Sequence, residues 1–191
     1  MIRKLAGQVL RNFSKLNCEV RSKLRCWIIC LKYPDCKIGR NVKIGRNVQF
    51  TVTDGGSVRV GCGTAIKDNC VIIAKHGPLV IGDNAFIGWG TVICSNEGVM
   101  IGDDCLIAEF VTIRDQNHGS SLADGPFREQ PMTTSSIEIG DNVWIGAKST
   151  VLAGATIATD SIVAAHGVVN STFDSGVIVG GIPASVIKTL S

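Results

Sequence analysis

A six-residue spacing of aliphatic anchors runs through most of this 191-residue chain and leaves few folds open to it. The anchors, with the small residue that often follows, read Ile38-Gly39, Ile44-Gly45, Val60-Gly61, Ile66, Ile81-Gly82, Ile87-Gly88, Ile93, Ile101-Gly102, Ile107-Ala108, Ile113, Ile139-Gly140, Ile145-Gly146, Val151, Ile157-Ala158, Val163-Ala164 and Val169. The fourth residue after an anchor is often small or apolar again, as at Val42, Thr64, Cys70, Ala85, Cys105 and Val143. A period of six matches neither the 3.6 of a helix nor the 2 of a strand joined by tight hairpins. It matches a coil of three short flat faces, in which each hexapeptide supplies one face and one corner. The anchor points inward, and the small residue lets the backbone turn. Stacked coils pair their strands in parallel, so the chain reads as all-β, a parallel β-helix whose Ile/Val ladders are buried only between neighbouring rungs.

Grouping the hexapeptides in threes starts coils near residues 38, 60, 81, 101, 139 and 157. The first two faces keep the spacing, while the extra residues fall in the third, at 50–59, 72–80, 93–100 and, longest, 113–138. Insertions at one corner build one elaborated edge, which in repeat proteins often carries binding. The expected organisation is a helical segment over 1–36, then the coil over 37–191 with an exposed loop at 114–136.

The N-terminal segment differs in pattern and in charge. Ile2, Leu5, Val9, Phe13, Leu16, Val20, Leu24, Trp27 and Leu31 step by three or four, the spacing of an amphipathic helix. Residues 1–40 carry ten Lys/Arg against Glu19 and Asp35, a net +8, while 41–191 carry nine basic against fourteen acidic residues, a net −5. The acidic body excludes a nucleic-acid-binding surface there. The helix has two readings: a cap over the open first coil, or a basic amphipathic surface over 1–32 that rests peripherally on anionic lipid. No signal peptide is expected, since the start is charged and lacks an apolar core with a cleavage site. The longest apolar run near the start, Trp27 to Leu31, is too short to span a bilayer.

Eight cysteines are present without a Cys-x-x-Cys pair or zinc-like spacing, and Cys70 and Cys105 fall at repeat positions that take a small apolar residue. They read as buried thiols of a reducing cytoplasm. The three histidines, His76, His118 and His166, fall in alternate coils, roughly 10 Å apart by strand spacing. They cannot share one metal within a chain, and no metal is expected. His76 reads as a turn residue and His166 as a corner residue facing the surface or a groove. His118 stands where the regular coil stops and the longest insertion begins. An imidazole there suits a general base, with Asp115 placed to orient it.

The anchors, the run Asp115-Gln116-Asn117-His118-Gly119, the segment Ile139-Gly140-Asp141-Asn142-Val143-Trp144-Ile145-Gly146 and the closing Gly180-Gly181-Ile182-Pro183-Ala184-Ser185-Val186-Ile187-Lys188 together resemble the hexapeptide-repeat acyltransferases. The resemblance covers about residues 38–190 and is closest to the maltose, galactoside and polysaccharide O-acetyltransferases. It implies a left-handed coil, acetyl-CoA as co-substrate and a homotrimer with the active site between subunits. His118 matches the family's catalytic base and Trp144 the aromatic residue beside the thioester and pantetheine. Ala147 and Ala165 match small positions lining the pantetheine groove, and Lys188 a basic residue near the nucleotide phosphates.

Some positions depart from the family. A Thr-Lys pair frequent after the penultimate coil is replaced by Asn170 and Ser171, and a further basic contact by Ser185, so Lys148 is a candidate for the missing charge. An upstream Asn that helps at the acceptor aligns with Gly88; Asn96, Glu97 or Asn117 are candidates to replace it. The expectation is an O-acetyltransferase that moves acetyl directly to a sugar or glycan hydroxyl, in the cytoplasm or peripherally at the inner face of the plasma membrane. Serine or amino-sugar acetylation, and a non-catalytic trimeric scaffold, are the alternatives. Serine acetyltransferases usually bring a much longer N-terminal helical domain and nucleotide-sugar N-acetyltransferases a Rossmann domain. A flat Thr-x-Thr ladder, as an ice-binding coil would need, does not recur.

Overall fold

The predicted anchors stack into three ladders, one for each face of a left-handed β-helix, in a computed structural model that describes residues 19–190. The first face stacks seven strands, from Cys36–Ile38 through Val99–Ile101 to Thr172–Phe173. The second runs from Lys43–Ile44 through Trp144–Ile145 to Val177–Gly181, and is closed by Ala184–Thr189. The third stacks six, from Gln49–Thr53 to Val168–Val169. All pairings within these faces are parallel except the last, where Ala184–Thr189 turns back antiparallel on Val177–Gly181 and covers the end of the second face.

The register aligns anchor with anchor. On the second face Ile44, Ile66, Ile87, Ile107, Ile145, Val163 and Val179 form one column, each at most 2% exposed. Burying such a side chain contributes roughly 1.5–3 kcal/mol. Polar residues at the fourth position are also buried, and each bonds a carbonyl of the next coil: Thr64 Oγ1 donates to Gly82 at 2.7 Å, Thr91 Oγ1 to Ala108 at 2.9 Å and Ser149 Oγ to Ala164 at 3.0 Å. Cys70 and Cys105 do the same through Sγ. Among the described residues the cysteines are free thiols. Burial raises the thiol pKa of Cys70, Cys94 and Cys105 and pushes that of Cys36 up to about 12, so these groups stay protonated.

A seventh, partial turn goes beyond the six coils expected from the spacing. Phe173 follows Val169 by four residues instead of six, so the period breaks although Phe173 and Val179 still point inward. The turn between the third and first faces shrinks there to Asn170-Ser171.

The chain is helical over 19–32, and this helix does cap the first coil, through the face opposite to the apolar row. Buried Ser22 accepts the Ile44 N–H on Oγ at 2.8 Å, and Arg25 Nε donates to the Ile44 carbonyl at 2.8 Å. Tyr33 Oη donates to the Phe50 carbonyl at 2.7 Å. These groups close the exposed edge of the first coil, where an unpaired strand otherwise invites further pairing. Ser22→Ala should leave the Ile44 N–H buried without a partner and lower stability by about 1–2 kcal/mol. A thermal melt equal to that of the parent chain would contradict this account of the cap. No helix among the described residues is long and apolar enough to cross a membrane.

Candidate active site

The corner between the second and third faces is built from small residues. From the third coil on, its turns are Gly88-Trp89-Gly90-Thr91, Ala108-Glu109-Phe110-Val111, Gly146-Ala147-Lys148-Ser149 and Ala164-Ala165-His166-Gly167, each opened by Gly or Ala. Each turn donates an N–H to the turn before it: Phe110 to Trp89, Lys148 to Glu109 and His166 to Ala147. The third residue of these turns is in the left-handed region, at φ 57° for Phe110, 59° for Lys148 and 62° for His166. That conformation is unusual for side chains larger than Asn, and three of them stand in one column here. It turns each side chain away from the coil.

A groove of about 430 Å³ lies along this corner, of the size that takes a small molecule or one arm of a larger one. Ala108, Gly146, Ala147, Ala164 and Ala165 line it, with Trp144 and Ile162 along one side and Glu109 on the rim. Trp144 is 51% exposed and stands in register with Leu106 on one side and Ile162 on the other. Three of the predicted donor-site residues, Trp144, Ala147 and Ala165, therefore share one groove. Exposed Lys148 follows Ala147 directly at the corner.

Lys188 lies on the same face. The row Trp144, Ile162, Ile178, Lys188 crosses three strand spacings, about 14 Å at ~4.8 Å each, so Lys188 stands two strands beyond Ile162, the last of this row to line the groove. Ser185 is exposed on the same terminal strand. Asn170 and Ser171 stand apart, exposed on the edge between the third and first faces.

That other edge carries the long loop. Residues Gln116–His118 and Met132–Thr134 pair as a short antiparallel ladder, with His118 opposite Met132, and two 3-10 turns, Leu122–Asp124 and Phe127–Glu129, fill the tip. Buried Gln130 holds the tip closed: Nε2 donates to the Ser121 and Gly125 carbonyls at 2.7 and 2.8 Å, and Oε1 accepts from the Ser121 N–H at 3.1 Å. Asn117 and His118 are both exposed on the hairpin.

Asp115 is not the ring-orienting carboxylate expected from its spacing. It is fully buried, and its oxygens accept the backbone N–H groups of Asn96, Glu97 and Gly98, each at 2.8 Å. The carboxylate faces back toward the preceding coil, away from the hairpin that follows it, because the tight turn at 96–98 presents three amides that only an acceptor from the next coil can satisfy. Asp115 thus ties the 96–98 turn to the base of the His118 hairpin. Asn96 is half-buried and its Oδ1 is shut from solvent without a hydrogen-bond partner, while Glu97 is exposed. Of the three acceptor-site candidates, Glu97 and Asn117 are exposed and Asn96 is not. His76 is a turn residue as expected, with φ 68° and Nδ1 3.2 Å from the Asp54 carbonyl oxygen.

Glu109, Ala108, Ala164 and Ile162 also line the groove without having been singled out from the sequence. One coil away, Glu109 repeats the position of Ala147, Ile162 that of Trp144, and Ala108 and Ala164 that of Gly146, so the repeat itself carries the signal that finds them. Toward the N-terminal end the same corner carries aromatic residues: Lys67 Nζ lies 5.0 Å from the Phe86 ring centre and 5.4 Å from that of Trp89. Gly90 leaves room for the Phe110 ring, whose edge atoms would lie 2.7 Å from an added Cβ.

The sequence matches the description of the bacterial transferase hexapeptide (six repeats) over residues 136–171, and that of the hexapeptide repeat of succinyl-transferase over 78–109. It is 32% identical over 148 residues to a probable acetyltransferase of Mycobacterium tuberculosis, covering 77% of this chain and 49% of that protein. It is 31% identical over 111 residues to the galactoside O-acetyltransferase of Escherichia coli, covering 58% and 54% respectively. The chain thus spans about half the length of these relatives. Among solved structures, AntD, an N-acyltransferase from Bacillus cereus in complex with dTDP and 3-hydroxybutyryl-CoA, shares the fold with a TM-score of 0.72 at 23% identity, over 84% of this chain and 87% of that one.

Proposed function

We propose that this chain is an acyltransferase of the hexapeptide-repeat kind and moves an acetyl group from acetyl-CoA to a hydroxyl of a sugar or glycan. The observation that carries the reading is the groove at the second corner, where five small residues leave an extended slot beside the exposed face of Trp144. Ala147 and Ala165 would lie against the pantetheine arm, and Lys148 and Lys188 would meet the phosphates. The bound co-substrate supplies an activated acetyl thioester.

His118 acts as the general base. Its imidazole takes the proton of the acceptor hydroxyl as that oxygen attacks the thioester carbon, and returns it to the sulfur that leaves. The transfer is direct, with donor and acceptor bound together and no acyl-enzyme formed. His118 stands on the edge between the third and first faces, whereas the groove lies between the second and third. A site that uses both is completed by two copies, with the loop edge of one against the groove of the next, and a homotrimer closes that contact with identical sites. Asn117, Glu97, Asn170 and Ser171 share the loop edge and would face the acceptor or donor bound on the neighbouring copy. The acceptor class is supported by the galactoside O-acetyltransferase relative.

The test follows free thiol released from acetyl-CoA with sugars, nucleotide sugars, oligosaccharides, serine and amino sugars as acceptors. Release that depends on a sugar hydroxyl is the expected result. Ala147→Phe fills the slot and should weaken acetyl-CoA binding at least ~10-fold, the scale of a clash that displaces a ligand from a formed pocket. Tight acetyl-CoA binding by that variant removes the groove as donor site, and release with serine or an amino group alone replaces the acceptor class.

A further inference from the structure

The helix over 19–32 is divided into two faces, and only one is used by the fold. Ser22, Arg25, Cys26 and Tyr33 reach the first coil. Val20, Leu24, Trp27, Ile28 and Leu31 point the other way and are 58%, 53%, 63%, 47% and 69% exposed. At 3.6 residues per turn these five lie within an arc of roughly 100°. Lys23 borders the arc on one side, and Arg21 and Lys32 border it on the other, all three exposed. Among the described residues no salt bridge engages these three cations. A row of large apolar side chains flanked by cations is the pattern of a helix that lies in a membrane interface.

The sequence upstream repeats the same row. Ile2, Phe13 and Leu24 are spaced by eleven, as are Leu5, Leu16 and Trp27, and Val9, Val20 and Leu31. A spacing of eleven is not the seven-residue repeat that a left-handed coiled coil of two copies asks for. Residues 1–18 add Arg3, Lys4, Arg11 and Lys15 and no carboxylate.

We infer that the outer face of this helix docks the protein on an anionic lipid surface, with Val20, Leu24, Trp27, Ile28 and Leu31 in the acyl boundary and Arg21, Lys23 and Lys32 at the headgroups. Charge decides the choice of occupant. Residues 1–40 are +8 and the rest of the chain is −5, so an anionic bilayer attracts the helix end and repels the body. The inner face holds the first coil at the same time, so docking and capping do not compete. The inference stands apart from the acyl-transfer reading and needs no acetyl-CoA.

Co-sedimentation of the full chain with vesicles tests it, using phosphatidylcholine alone and a phosphatidylcholine–phosphatidylglycerol mixture. Binding is expected with the mixture, weakening as salt rises, and poor binding with phosphatidylcholine alone. The double variant Trp27→Asp, Leu31→Asp should lose binding at least ~10-fold while keeping its thermal melt, because both side chains are largely exposed. Arg21→Glu with Lys32→Glu should weaken binding to the mixture and leave the apolar row intact. Three results overturn the inference: no binding of the parent chain to the mixture, equal binding by the Asp double variant, or a fall in oligomer mass caused by that variant, which assigns the face to a second copy of the chain.

Discussion

His118→Ala should lower turnover of acetyl transfer at least ~100-fold, the usual scale for losing a general base. The thermal melt should not move, since the side chain is exposed on its hairpin and holds nothing in the core. Binding of acetyl-CoA, read by calorimetry, should be retained, because the donor groove is on another edge of the same copy. The loss therefore belongs in kcat. Mixed oligomers add a sharper check. A copy with Ala at 118 but an open groove, combined with a copy whose groove is filled by Phe at 147, should regain part of the activity if each site draws its base from one copy and its groove from another. Full turnover by His118→Ala alone removes the imidazole from the mechanism. Absence of rescue in the mixed oligomer removes the shared site.

Asp115→Ala should produce the largest loss of stability outside the aliphatic column. The carboxylate is fully buried and accepts three backbone N–H groups. Removing it strands those donors at ~1–3 kcal/mol each, so a loss of about 3 kcal/mol or more is expected in urea or thermal unfolding. Asp115→Asn keeps an acceptor at one position and should cost about half as much. The loss should be the same in a His118→Ala background, because the carboxylate bonds the 96–98 turn and not the imidazole; a strong dependence on His118 would restore the ring-orienting role. Turnover should also fall in Asp115→Ala, since the hairpin that presents His118 starts at this residue.

The contrast between these two residues shows what could be read in advance. His118 was picked out because the six-residue period stops beside it, and a break in a period is visible in one dimension. The partner assigned to it from nearness in sequence, Asp115, instead serves a turn seventeen to nineteen residues earlier, which is one coil away in space. The same limit applies to the N-terminal segment. Its apolar row reads as a helix, of which the part from Ile2 to Leu16 lies outside the described residues, and a cap is one of the two readings it allows; yet the cap is built from Ser22, Arg25, Cys26 and Tyr33 on the other side. A hydrophobic pattern tells that one face avoids water, not which neighbour that face meets.

The sequence by itself determined the coil: its three faces, the inward ladders and the corner that receives the insertions. Those follow from local rules, because each hexapeptide packs only on the equivalent hexapeptides above and below, and a period in the chain is then a period in space. The tertiary structure alone decided which corner each candidate occupies. It put Trp144, Ala147 and Ala165 together, set Lys188 in line with them, and left His118, Asn117, Asn170 and Ser171 on another edge. Residues a few positions apart can lie on different edges of the prism, and residues a full coil apart can touch, because the face on which a residue lands depends on every insertion before it.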